Sequence, residues 1–236
     1  MRETIKSFTP QPVLNFYSRV KSGLEKRLRY VPPNERIDFD LHSIYEGHFK
    51  TTYRGIPTLR FPFDYVMYQM ILSEVRPDMV IEIGTNLGGT ALYLADLMNA
   101  LGNGVVHSID IDNRAVDLVK NHSRIRLFNS GWKDYDIAIA RDFHKILVLD
   151  DGSHTYEDVA GALEKFSPLV SPNSYFIVED GIIDELGLSK QYSGGPLKAT
   201  REFLSVHPEF FVDDTYCNFF GKNATANVSG YLKRLR

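Results

Sequence analysis

Short apolar runs alternate along the chain with longer stretches whose apolar residues recur at helical spacing. The apolar runs predict strands over 79–83, 105–109, 125–128, 146–149 and 175–178, with two more around 210–212 and 230–232. The intervening stretches predict helices over 62–75, 91–101, 156–166 and 198–207. Continuous apolar runs are typical of strands buried on both faces. Strands that alternate with helices are typical of an open, mostly parallel α/β sheet.

The N-terminal part of the chain is harder to assign. Residues 13–30 have apolar positions near helical spacing, and basic residues crowd the other face. We interpret that face as solvated, with a dimer contact or a membrane-surface contact as the alternatives. Residues 53–57 have turn character within a mixed segment, 34–62, which either folds over the functional face as a lid or packs on its rim.

A glycine-rich loop follows the first core strand and precedes a helix. It runs Gly84-Thr-Asn-Leu-Gly-Gly-Thr90, so its backbone can turn tightly and a ligand can approach the main chain. The spacing is not G-x-G-x-x-G, which weakens a dinucleotide interpretation. Asp110 comes directly after the second strand, where an acid can accept hydrogen bonds from a ribose diol. Asp112 is expected to cap a helix that begins near Arg114.

The third strand leads into a predicted loop at the same expected edge, Asn129-Ser130-Gly131-Trp132. Trp132 could form a wall for an adenine ring, or it could pack in the ordinary way. His107 lies within a strand pattern and is expected to be a core histidine. Residues 182–197 contain several glycines and a proline, which predicts a mobile loop at the substrate.

Two of the later strands end in acids. The first continues into Asp150-Asp151-Gly-Ser-His154, and the second continues into Glu179-Asp180-Gly181. Ligands of open α/β sheets lie beyond the carboxyl ends of the strands, so Asp151, Glu179, Asp180 and His154 should surround one point. Ionised carboxylates in one small volume need a cation to offset them. We therefore predict a hard-metal site with a histidine base beside it, and a structural role for Asp150.

Composition narrows the class of protein. The chain has 236 residues, 43% of them hydrophobic, which suits one large α/β domain with additional elements. The net charge of -3 does not indicate a general nucleic-acid-binding surface. A single cysteine, Cys217, excludes an internal disulfide and suits a reducing, cytoplasmic location. The sequence has no apolar signal core near residue 1 and no apolar stretch long enough to span a bilayer.

The segment from Glu82 to Thr90 resembles motif I of the class I S-adenosylmethionine-dependent methyltransferases. More specifically, the chain resembles the cephalosporin hydroxylase family, which includes Mg²⁺-dependent sugar O-methyltransferases. The resemblance covers about residues 50 to 236. Besides the glycine loop and the acidic strand ends, it rests on Tyr53-Arg54-Gly55, Pro62, Asp64, Gln69, Gly195-Pro196 and the closing Gly230-Tyr-Leu-Lys-Arg234.

The resemblance implies a Rossmann-like class I methyltransferase fold with a mostly parallel seven-stranded sheet and helices on both faces. The methyltransferase domain would span 61–236, after an N-terminal helical extension and lid over 1–60. Mg²⁺ would be held by Asp151, Glu179 and Asp180, and His154 would be the general base, with Asp151 also at the catalytic centre. S-adenosylmethionine would be held by Glu82, Gly84, Thr85, Gly88, Gly89, Thr90 and Asp110, and we place Ser130, Gly131, Trp132 and Asp151 beside it.

The predicted function is therefore methyl transfer from S-adenosylmethionine to a hydroxyl of a sugar or glycoside, in glycan or natural-product biosynthesis. The acceptor hydroxyl would be bound to the metal, next to a vicinal hydroxyl, and deprotonated by His154. Alternatives are methylation of a catechol-like diol and a noncatalytic, partner-binding role. A nicotinamide-dependent oxidoreductase is disfavoured by the glycine spacing. We also expect a homo-oligomer, and no nucleic-acid or integral-membrane partner.

Overall fold

The computed structural model describes residues 40–235, and a compact unit begins at Leu41. The helix predicted over 13–30 lies outside the described residues. The boundary predicted near residue 60 stays a prediction. In the part of the chain that the structure describes, no helix is long and apolar enough to cross a membrane.

A seven-stranded sheet forms the centre of the fold. A small hairpin of β1 (Thr52–Tyr53) and β2 (Ile56–Pro57) comes first. The sheet strands are β3 (Met79–Ile83), β4 (Val105–Ile109), β5 (Ile125–Phe128), β6 (Ile146–Asp150), β7 (Tyr175–Val178), β8 (Phe210–Val212) and β9 (Tyr231–Arg234). Their order is β5-β4-β3-β6-β7-β9-β8, in which only β9 runs antiparallel to its neighbours. The chain reverses direction across the sheet between β3 and β6, and this switch point is where such sheets bind ligands.

Helices cover both faces of the sheet, as predicted. They are α1 (Leu41–His48), α2 (Pro62–Val75), α3 (Gly89–Ala100), α4 (Asp117–Lys120), α5 (Gly131–Asp134), α6 (Tyr156–Phe166), α7 (Gly195–Val206) and α8 (Asp214–Cys217). Successive residues of β3 point to opposite faces. Val80 therefore packs in a core with α2 and α3, whereas Ile81 packs in a second core with α6 and α7.

Several predictions about single residues can be compared with the structure. His107 is fully buried and bonds through Nδ1 to the Tyr135 hydroxyl at 2.8 Å, which confirms a core histidine. The predicted cap at Asp112 is wrong, because the next helix begins only at Asp117 and has no side-chain cap. The Asp110 carboxylate accepts hydrogen bonds from the backbone N–H groups of Ile111 and Asp112, which holds this segment in a turn. Trp132 lies in the short helix α5 rather than in a loop.

Candidate active site

The glycine turn after β3 lies against the end of β6. Gly84 has a φ of 98°, and a Cβ atom there would come within 2.0 Å of the Asp151 carbonyl oxygen. Gly88 has a φ of 87°, and a Cβ atom there would meet the Val119 side chain at 2.7 Å. Glycine is therefore required at both positions, by backbone conformation and by close packing. The turn leads directly into α3.

Buried polar groups lie beneath this turn. Glu82 is fully buried and accepts a hydrogen bond from the Ser108 hydroxyl, which is 2.6 Å from Thr85 Oγ1. The other carboxylate oxygen, Glu82 Oε1, has no protein partner. Burial raises the pKa of Glu82 to about 8. Asp110 accepts a hydrogen bond from the Asn86 backbone N–H at 2.8 Å, so it anchors the turn from the next strand.

The two acidic strand ends share one pattern, in which the first acid is buried and the second is more accessible. Asp150 is 4% exposed and accepts a hydrogen bond from the Gly152 N–H at 3.3 Å, as expected of a structural residue. Glu179 is 3% exposed. The side chains of Asp151 and Asp180 are 25% and 37% exposed. Burial raises the pKa of Asp150 to about 7 and that of Glu179 to about 8.

Asp151, Asp180 and His154 converge at the edge of the sheet. His154 Nε2 lies 3.3 Å from Asp180 Oδ2 and 3.7 Å from Asp151 Oδ1. One ligand atom from each residue lies within 4.8 Å of the other two. His154 and Asp180 both have left-handed backbone, with φ of 57° and 55°, which is rare outside glycine and is concentrated at functional sites. Two carboxylates and an imidazole around one point fit a hard divalent cation with a base at its side.

Glu179 makes different contacts from Asp180, although it is its neighbour in the chain. Its carboxylate accepts a hydrogen bond from the Tyr68 hydroxyl at 2.8 Å and forms an ion pair with Arg60. Arg60 also contacts Asp151 Oδ2 at 3.0 Å, so one guanidinium bridges the two carboxylates. Glu179 therefore lies near Asp151, Asp180 and His154, but the groups that it contacts are Arg60 and Tyr68. Its predicted role as a metal ligand stays a prediction.

Arg60 is a buried residue of the site that the sequence analysis does not single out. It is 3% exposed, and its guanidinium additionally donates to Thr90 Oγ1 at 3.1 Å and to the Tyr68 hydroxyl at 2.9 Å. The sequence around Arg60 contains one local indication that this arginine is buried. Arg60 is the one charged residue in the apolar stretch from Leu59 to Phe63, where a solvated charge is unexpected.

A further buried acid, Asp64, links this site to the C-terminal segment. Asp64 accepts hydrogen bonds from the Thr225 hydroxyl, from the Ala226 N–H at 3.2 Å and from the Tyr231 hydroxyl at 3.0 Å. Asn227 Nδ2 donates to the Tyr68 hydroxyl at 2.8 Å. The network joins α2 to the C-terminal segment, so stretches that are far apart in the sequence support the same part of the site.

A cleft of about 680 Å³ opens over the strand ends, a size suited to a small molecule. Most of the predicted site residues line it, namely Gly84, Thr85, Gly89, Thr90, Asp110, Ser130, Gly131, Trp132, Asp151, His154 and Asp180. Glu82, Gly88 and Glu179 are not in its wall and lie behind it. Trp132 also packs on α6, since a Cβ atom at Gly161 would come within 2.4 Å of the indole ring. Trp132 therefore both packs and lines the cleft.

Aromatic and aliphatic residues form another part of the wall. They come from α1 and the residue after it, from the segment before α2 and from the predicted substrate loop, and they include Tyr45, His48, Phe49, Phe61, Leu186, Leu188 and Tyr192. The Tyr192 ring lies 6.3 Å from the His154 ring, in an edge-to-face arrangement. The predicted loop therefore does border the cleft, next to the candidate base.

The sequence profile of the Rhamnosyl O-methyltransferase/CmcI family matches residues 46–235. The chain belongs to this family. A rhamnosyl O-methyltransferase of Mycobacterium bovis (strain BCG / Pasteur 1173P2) is 30% identical over 215 residues, which cover 86% of each chain. The Mycobacterium leprae (strain TN) rhamnosyl O-methyltransferase is 28% identical over 77% of this chain and 84% of its own. Membership confirms the predicted resemblance and the prediction of an O-methyltransferase.

Solved CmcI structures have the same fold. The structure described as CmcI-N160 apo superposes with a TM-score of 0.62 at 24% identity, covering 88% of this chain and 90% of its own. The structure described as cmcI-D160 Mg-SAM superposes with a TM-score of 0.60 at 23% identity, covering 89% of this chain and 84% of its own. The Rossmann-like methyltransferase fold predicted from the sequence is confirmed.

Proposed function

We propose that this protein transfers a methyl group from S-adenosylmethionine to a hydroxyl of a sugar or glycoside, with Mg²⁺ as its metal. The observation that carries the proposal is the convergence of Asp151, Asp180 and His154 beside the glycine turn, within one cleft. The named activity of the mycobacterial relatives supports a rhamnoside as the first acceptor to test.

S-adenosylmethionine would lie along the glycine turn between β3 and α3. Because Gly84 lies close to Asp151, a cofactor along this turn would lie beside the acidic strand end. Asp110, directly after β4, would accept hydrogen bonds from the ribose diol, and Trp132 would provide a face for the adenine ring, since both residues line the cleft. Glu82 Oε1, which is buried and has no protein partner, supports a polar ligand group near the turn.

Mg²⁺ would be held by Asp151 and Asp180, with Glu179 as the predicted third carboxylate. When bound, the ion would lower the pKa of an acceptor hydroxyl and orient a vicinal pair of hydroxyls. His154 Nε2 faces both carboxylates and would accept the proton as the hydroxyl oxygen attacks the methyl group in line. The predicted homo-oligomer and the expected cytoplasmic location stay predictions.

A catechol-like diol is a second candidate acceptor, because Tyr192 and other aromatic side chains share the cleft with His154. The deciding assay offers the purified chain S-adenosylmethionine with either an unmethylated rhamnoside or a catechol, in excess Mg²⁺ or in EDTA. We expect Mg²⁺-dependent methylation of the rhamnoside, detected by mass spectrometry, and turnover at least about 10²-fold lower in EDTA. Full turnover in EDTA would exclude the metal, and methylation of the catechol alone would exclude the sugar.

A further inference from the structure

Arg60 joins three elements of the candidate site through a single buried guanidinium. It contacts Asp151 after β6, Glu179 after β7 and Thr90 at the start of α3. Two of these partners are carboxylates, and Arg60 itself is 3% exposed. Because the group is enclosed, water screens its charge only weakly.

Other basic side chains near the cleft have other partners. Arg114 pairs with Asp112 and Lys133 pairs with Asp158, and the side chains of both are mostly exposed, at 60% and 70%. Among the ion pairs described for residues 40–235, those that reach Asp151, Glu179 or Asp180 come from Arg60 and His154. The permanent positive charge at the strand ends is therefore supplied by Arg60.

We infer that Arg60 is a built-in counter-charge that sets the metal affinity of the site and holds its carboxylates in position. The inference rests on the proposed function, in which Asp151 helps to hold a divalent ion. Asp151 contacts Arg60 through Oδ2, and its Oδ1 is directed toward His154. The guanidinium and the proposed metal ion would therefore share one carboxylate. Two cations that offset the same charge repel each other, and each weakens the binding of the other.

Two consequences follow from this competition. Without a metal, Arg60 offsets the negative charge of Asp151 and Glu179. Repulsion between the two carboxylates is then reduced, so the ends of β6 and β7 keep their arrangement. With a metal, Arg60 weakens binding by repulsion. Replacing Arg60 with a neutral side chain should therefore destabilise the metal-free chain and, in the same protein, tighten metal binding.

The test is a titration of the purified full chain with Mn²⁺, followed by electron paramagnetic resonance, on wild type and four variants. Arg60→Met and Arg60→Gln remove the charge, and the Gln side chain can still donate a hydrogen bond. Arg60→Lys keeps the charge. Arg54→Met is the matched control. It also removes an arginine that pairs with an aspartate, Asp96, but the Arg54 side chain is 47% exposed.

We expect Arg60→Met and Arg60→Gln to bind Mn²⁺ about tenfold or more tightly than wild type. Arg60→Lys and Arg54→Met should stay near wild type. In EDTA, Arg60→Met should unfold about 10 °C below wild type, and Mn²⁺ should restore more of its melting temperature than it adds to wild type. A Met variant that folds only with Mn²⁺ gives the same support.

The inference is overturned if both neutral variants bind Mn²⁺ no more tightly than wild type, or if the Lys variant tightens binding as much as they do. Neutral variants that stay unfolded even in Mn²⁺ also overturn it, since a metal ion then cannot replace the guanidinium charge. Failure of the wild-type chain itself to bind Mn²⁺ has a different meaning, because it removes the metal from the proposed function.

Discussion

The end of β7 shows two acids side by side in the chain with opposite surroundings. Glu179 is buried and is held by Arg60 and Tyr68, whereas Asp180 lies at the cleft with His154 at 3.3 Å. Asp150 and Asp151 repeat the contrast at the end of β6. Strand β7 has already ended at Val178, and Asp180 has left-handed backbone with a φ of 55°, so its side chain does not follow the direction of Glu179.

This contrast separates acids that stabilise the strand ends from acids that would take part in the reaction. Asp150 and Glu179 are enclosed and accept hydrogen bonds, from Gly152 and from Tyr68 and Arg60 respectively, so their main effect is on how firmly the strand ends are held. Asp151 and Asp180 lie at the cleft near the His154 imidazole, and Asp151 also contacts Arg60. Changes on the cleft side should therefore reduce turnover while the fold is kept, and changes on the buried side should reduce stability first.

The largest expected effect is at His154. His154→Ala removes the only basic group that faces both Asp151 and Asp180 in the described cluster, so turnover should fall by about 10²–10³-fold. Thermal unfolding and S-adenosylmethionine binding by calorimetry should stay close to wild type. His144→Ala, at an exposed position away from the cleft, is the control. Unchanged turnover in His154→Ala would remove the base from the account.

A change on the buried side should instead reduce stability first. Tyr68→Phe deletes the hydroxyl that donates to Glu179 and accepts from Asn227, which leaves a buried carboxylate oxygen poorly satisfied. We expect a loss of about 1–3 kcal/mol in the free energy of unfolding, measured by denaturant titration. Tyr53→Phe is the control, since its partly exposed bond to Asp96 should be worth about 0.5 kcal/mol or less. Equal losses in the two variants would break the distinction between supporting and surface contacts.

The third test concerns how stability depends on pH, one pH unit at a time. Glu82 has a pKa raised by burial from 4.5 to about 8, so the folded chain keeps a proton that the unfolded chain releases between these values. Stability must therefore fall as pH rises through this window, by at most about 1.4 kcal/mol per pH unit from this group.

Glu82→Gln removes that contribution, and the plot of unfolding free energy against pH, measured in EDTA, should become flatter between pH 5 and 8. Glu185→Gln, at an exposed position, should leave the slope as it is. Identical slopes in wild type and Glu82→Gln would show that the buried carboxyl under the glycine turn does not hold a proton across this range.

Most of the sheet and its edge could be predicted because their signals are local. The parallel strands are mainly apolar runs, and the acids and glycines that follow mark the functional edge, so the sequence predicts that Asp151, His154 and Asp180 lie together, as they do in the structure. The buried support could not be predicted in this way. Arg60 and Glu179 are 119 residues apart, and no periodicity links them.

The same reason explains what the sequence argument for a cation leaves out. The structure shows a protein cation, Arg60, in contact with two of the acids. The opposite orientations of Glu179 and Asp180 depend on the left-handed backbone at Asp180, which only the folded chain reveals.

The most direct test of the account is to locate the metal. Crystals grown with Mn²⁺ and S-adenosylhomocysteine, measured at the manganese absorption edge, should show one anomalous peak between the Asp151 and Asp180 carboxylates, at about 2.1 Å from their oxygens, with His154 beside it and the cofactor along the Gly84 turn. A peak elsewhere, or none at this point in crystals that contain the cofactor, would contradict the proposed site and the chemistry assigned to it.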